Sequence, residues 1–66
     1  MDFNIIDYGN DLYTLDPITD EAKTWIHSTI SDPIMWGNGV IVESSKVTDI
    51  HNTLIRSGFK VERIPW

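Results

Sequence analysis

Hydrophobic positions along this chain switch between strand-like and helix-like spacing, and each switch marks a new element. Phe3-Asn4-Ile5-Ile6-Asp7-Tyr8 and Leu12-Tyr13-Thr14-Leu15 are short β-favouring runs separated by Gly9-Asn10-Asp11, a cluster able to supply the positive φ angles of a tight turn, so a hairpin is predicted. Asp16-Pro17 should stop its second strand, because proline cannot donate to a ladder. Thr19 then reads as a helix N-cap with Asp20 and Glu21 in the first turn, where carboxylates favour the positive end of the helix dipole. Ala22, Trp25, Ile26 and Ile30 recur at three- and four-residue spacing and form one face, and Asp32-Pro33 ends the helix.

Gly39-Val40-Ile41-Val42-Glu43 is apolar on successive residues, as in a strand covered on both sides or placed at the middle of the sheet. Ser44 or Ser45 is expected to cap a second helix carrying Val47, Ile50, Leu54 and Ile55 on one face. Gly58 follows as a left-handed C-terminal cap, with Phe59 folded back on Leu54. A last strand, Phe59 to Ile64, runs into Pro65-Trp66.

The predicted fold is therefore α+β: a single domain over residues 1–66, in the order β-β-α-β-α-β, with a four-stranded mixed sheet and two helices. The crossover of about fifteen residues between the last two strands is long enough for a right-handed βαβ unit. Whether both helices lie on one face of the sheet does not follow from the pattern. At 66 residues the chain sits near the size where only about 60% of the unfolded surface can be buried, which leaves little room for a deep cleft. It contains no cysteine, so neither disulfides nor thiolate zinc can supplement its core.

Charge is uneven. The formal net charge is −5, and residues 1–33 carry seven acids against the single Lys23, while the remainder is nearly balanced. Phosphates repel such a chain, so neither nucleic acid nor an anionic membrane is an expected partner, whereas a protein with a basic surface is. No run approaches the roughly 18 apolar residues of a membrane span, and the first residues lack a positive segment leading into an apolar one. The expected setting is the cytoplasm of a host cell.

Few residues invite chemistry. Gly37-Asn38-Gly39 is glycine-rich, but a phosphate loop leads from a strand into a helix, and this one leads into a strand. It reads as the turn or bulge that starts the strand. His27 and His51 each lack a second ligand one helical turn away, so a metal or small-ligand site would need long-range convergence. Ser44 or Ser45 with Asp49 and His51 makes a poor triad, since His51 points elsewhere on the helix and capping already accounts for the serines. No cofactor and no catalysis are expected. Aromatics are in better supply: Tyr8, Tyr13, Trp36 and Trp66 fall at turns, ends or hairpin positions, where they either close a thin core or serve as interface anchors.

The run Leu15-Asp16-Pro17-Ile18-Thr19-Asp20-Glu21-Ala22-Lys23-Thr24-Trp25, an L-x-P-x-T-x-x-A-x-x-W pattern, resembles a group of small phage and bacterial proteins of unknown function. The turn opening on Trp36-Gly37 and the V-x-V-E strand at Val40-Ile41-Val42-Glu43 add to the likeness. The resemblance implies a fold and a mobile-element setting and brings no activity with it. In size and acidity the chain is also similar to phage-encoded inhibitors of host defence, such as anti-CRISPR and anti-restriction proteins. The leading expectation is a non-enzymatic acidic inhibitor that binds a basic surface on a host nucleic-acid-handling protein, as a nucleic-acid mimic would. Asp7, Asp11, Asp16, Asp20 and Glu21 are the expected steering charges, with Tyr13 and Trp36 as anchors. A homodimer that pairs edge strands or buries Trp66 is the structural alternative, and a metal or ligand protein using His27 or His51 the third.

Overall fold

A computed structural model describes residues 1–65. Five strands and two helices follow in the order β1 (Phe3–Asp7), β2 (Leu12–Pro17), α1 (Asp20–Thr29), β3 (Met35–Trp36), β4 (Gly39–Glu43), α2 (Ser44–Arg56) and β5 (Val61–Pro65). The strands form one mixed sheet in the order β3-β4-β2-β1-β5, antiparallel throughout except for β1 beside β5. The α+β class is as expected; the strand count is five, one more than the pattern predicts. The extra strand, β3, is two residues long, too short to show any periodicity. Gly37 (φ 63°) opens the two-residue turn that folds it back on β4.

The first hairpin forms as its sequence requires. Gly9, Asn10 and Asp11 all take positive φ, and Gly9 N–H donates to Asp7 Oδ1 at 2.9 Å. The strand after it runs further than expected, through Asp16 and Pro17. Phe3, opposite Pro17, turns its own N–H toward the β5 side, onto the Lys60 carbonyl. The proline nitrogen therefore faces the β4 side, where pairing has already run out, and its missing N–H costs no ladder bond.

Register assigns the two faces. Phe3, Ile5, Leu15, Val40 and Val42 lie on one side and are buried together with Ala22 and Ile26 of α1 and Val47 and Leu54 of α2, so both helices cover the same face. Among the described residues no helix lies on the other face. This corrects the expected place of β4: the middle strand is β2, and β4 alternates, with Val40 and Val42 inward and Ile41 37% exposed on the open side. A run of apolar residues there reflects two different surfaces, one a core and one uncovered. β4 and β5 are parallel and separated by β2 and β1, so the α2 connection crosses two strands.

Thr19 caps α1 as expected, its Oγ1 accepting from Ala22 N–H at 3.1 Å. That hydroxyl also donates to Asp2 Oδ1 (3.2 Å), while Lys60 N–H donates to Asp2 Oδ2 (2.9 Å). Asp2 thus ties the start of β1 to the start of α1 and the approach to β5. The Lys60 bond, reinforced by Thr19, holds the Asp2 carboxyl below its ordinary value. The second helix departs from expectation at its start. Its N-cap is Glu43, with no side-chain cap bond, and Ser44 is already helical, because β4 passes straight into α2 and its last extended residue occupies the cap. Ile55 is 50% exposed and stays outside the core face. At the other end Gly58 adopts φ 92°, Phe59 N–H reaches the Leu54 carbonyl and Gly58 N–H that of Ile55, the double bond pattern of a Schellman cap. Phe59 then meets Phe3 edge-on (5.2 Å), with Trp25 closing the group.

Candidate functional site

The uncovered face is built by alternation alone. One row across the sheet holds Trp36, Gly39, Asp16, Asn4 and Glu62; the next holds Ile41, Thr14, Ile6 and Ile64; Glu43, Leu12 and Tyr8 lie beyond. The charged residues among these strand positions are Asp16, Glu43 and Glu62, all acids. Trp36 is 49% exposed and meets the Tyr8 ring at 4.8 Å between centroids. Ile34 and Ile41 continue an exposed apolar strip along the β3 side, while Met35, opposite Val40, turns to the helix-covered face. An apolar and aromatic strip beside carboxylates is the composition of a protein-binding patch.

Beneath it lies an anomaly. Thr14 is almost wholly buried, and Thr14 Oγ1, Asn4 Oδ1 and Asp16 Oδ1 are all shut from solvent with no hydrogen-bond partner among the described residues. Asn4 and Asp16 are direct cross-strand neighbours, and Thr14 is two residues from Asp16 on the same face. The Asp16 carboxylate lies over Gly39: a Cβ added there would run into Oδ1, and would sit 2.8 Å from Cγ and 3.1 Å from Thr14 Cβ. Buried polar groups left unpaired cost roughly 1–3 kcal/mol each, so three side by side are a concentrated penalty in a small domain.

Of the residues expected to bind a partner, the structure brings together Asp16 and Trp36, joined across Gly39. Tyr13 lies on the helix-covered face, half-buried against the core. Asp7, opposite Tyr13, borders a recess of about 180 Å³ with Arg63 and Pro65. Asp11 stands exposed in the hairpin turn. Asp20 and Glu21 are exposed in the first turn of α1, at the far end of β2 and about 13 Å along the strands from the Asp7 row. The five acids are therefore spread over both ends and one face. Asn4, Thr14, Glu43 and Glu62 were not expected at a site. Positions 4, 14 and 16 share a face once hairpin register is known, but a single sequence does not fix that register.

The histidines stand apart from this face. His27 borders a recess of about 210 Å³ between α1 and the β3–β4 turn, and His51 Nδ1 accepts from Arg63 Nε–H at 3.0 Å. Among the described residues no three His, Asp or Glu side chains gather as a metal site would need, and no helix is long and apolar enough to cross a membrane. Trp66, offered above as a core or dimer contact, lies outside the described residues. No family model, curated protein or solved structure matches the chain.

Proposed function

We propose that this chain is a non-enzymatic binding module that applies its open sheet face to a basic surface of a partner protein. The observation that carries the reading is an uncovered sheet face with three carboxylates, no cation among its strand positions, and a half-exposed tryptophan beside unpaired polar oxygens. Basic surfaces of this kind belong above all to proteins that handle nucleic acid, whose lysines and arginines meet phosphates. Carboxylates arrayed on a rigid sheet compete for the same cations. A small acidic chain from a phage or other mobile element, acting in the host cytoplasm, would block such a protein by occupying its phosphate track.

Affinity capture from bacterial lysate, with tagged wild type and three variants, tests this. A nucleic-acid-handling protein should be retained at low salt and released at high salt, because screening shortens the reach of exposed charges to about 10 Å or less. Trp36→Ala and Glu62→Lys should release it, and Asp20→Lys, at the end of the sheet, should not. Retention indifferent to Trp36 and Glu62, or no specific capture, overturns the reading.

A further inference from the structure

Asn4, Thr14 and Asp16 present three buried oxygens with no hydrogen-bond partner among the described residues. Two of them, an amide carbonyl and a carboxylate, can only accept, so their common requirement is a group rich in donors. We propose that the open face takes up a single arginine side chain of its partner, the guanidinium donating to Asp16 Oδ1, Asn4 Oδ1 and Thr14 Oγ1 with Trp36 against its plane; this rests on the face-binding reading above.

Guanidinium fits the surroundings better than ammonium. It carries five N–H donors in a flat, rigid fork and no acceptor, it is weakly hydrated, and it stacks on aromatic rings. Asn4 and Asp16 are direct cross-strand neighbours, about 5 Å apart at Cβ, so one guest lying on this face meets both side chains. Gly39 contributes by having no side chain: the Asp16 carboxylate leans over it toward the strand that pairs with Trp36. The oxygens are closed from water, so a guest enters only if a covering side chain moves. In this proposal the side chain that moves is Trp36, half exposed on a two-residue strand, which gives up its edge-on contact with Tyr8. Negative charge at Glu43 and Glu62, with no cation on the strands between, favours the incoming charge.

The test is NMR titration of the labelled full chain with blocked Gly-Arg-Gly, blocked Gly-Lys-Gly and calcium chloride. The arginine peptide should give saturable shifts at the Asn4 side-chain amide, the Thr14 and Asp16 amides and the Trp36 indole N–H, with the lysine peptide weaker. Asp16→Asn should weaken binding roughly tenfold or more, as expected for losing a hydrogen bond to a charged group. Thr14→Val supplies a readout that a structural role would not give: removing an unpaired buried hydroxyl should raise thermal stability while lowering arginine binding. Equal shifts with both peptides, shifts elsewhere, insensitivity to Asp16→Asn, or the same shifts from calcium chloride alone overturn the assignment. If the arginine peptide fails but partner capture still depends on Trp36 and Glu62, the arginine site falls and the binding face stands. If capture is also indifferent, both fall.

Discussion

Replacing Gly39 by alanine tests how tightly Asp16 is folded onto the sheet. The new Cβ would collide with Asp16 Oδ1 and lie 2.8 Å from its Cγ and 3.1 Å from Thr14 Cβ. The carboxylate can swing aside by changing rotamer, but Thr14 Cβ is fixed to the neighbouring strand, so part of the overlap persists. Overpacking of this kind costs about 1–3 kcal/mol, and removing glycine's extra freedom from the unfolded chain returns about 0.4–1 kcal/mol. The net expectation is a loss of about 1–2 kcal/mol, which for a domain this small lowers Tm by about 4–8 °C per kcal/mol. Thermal and urea unfolding followed by circular dichroism measure it directly. Asp16→Ala removes most of the obstruction, so the cost of Gly39→Ala should shrink in that background and leave a coupling of at least about 0.5 kcal/mol. A Gly39→Ala protein as stable as wild type, or an equal loss with and without Asp16, would show that the carboxylate does not occupy the space over Gly39.

Leu54 is fully buried between α2 and the sheet, so Leu54→Ala should cost about 2–5 kcal/mol in urea unfolding, enough to leave much of so small a domain unfolded. Gly58→Ala meets no atom within 4 Å but must adopt φ 92°; a loss of about 1–2 kcal/mol from backbone strain alone is expected, and an unchanged Tm would contradict it. The Asp2 carboxyl is lowered in the folded state, chiefly by the Lys60 N–H, so its contribution is complete above the unfolded carboxylate pKa of about 3.9 and fades as pH falls through the lower folded value. Asp2→Asn should therefore flatten the acid limb of a stability-versus-pH curve below about pH 4, and an unchanged limb would remove Asp2 as its source.

What the sequence shows best is what local chemistry alone decides. The Gly9-Asn10-Asp11 turn, the Thr19 cap and the Gly58 stop each need particular residues at particular positions, and each appears where those residues stand. Features decided by distant partners are hidden. Ile41 looks like core because it lies between Val40 and Val42, yet its exposure depends on which face the helices cover. β3 exists only because β4 offers Met35 and Trp36 an edge. Ser44 loses its expected cap to Glu43 because the strand leaves no loop before the helix. The surface proposed as a site shares this non-local origin. Asp16 and Trp36 were both recognisable as candidates, but Asn4 joins them only through the pairing of β1 with β2, Thr14 shares the face by alternation along β2 yet gave no sign of burial, and the acids at 20 and 21 lie beyond the end of β2 in α1.

The sheet's two flanks differ from its open face in a way that bears on crowded conditions. One flank is a strand of two residues, and the other carries Glu62, Arg63 and Pro65, charges and a missing donor. Among the described residues, the shortness of β3 and the charges and proline of β5 blunt both edges against pairing with a second copy. A domain that leaves one side of its sheet without a helix would ordinarily risk that fate. Here the hazard is separated from the exposure: the side without helices is flanked by margins that discourage growth of a fibre.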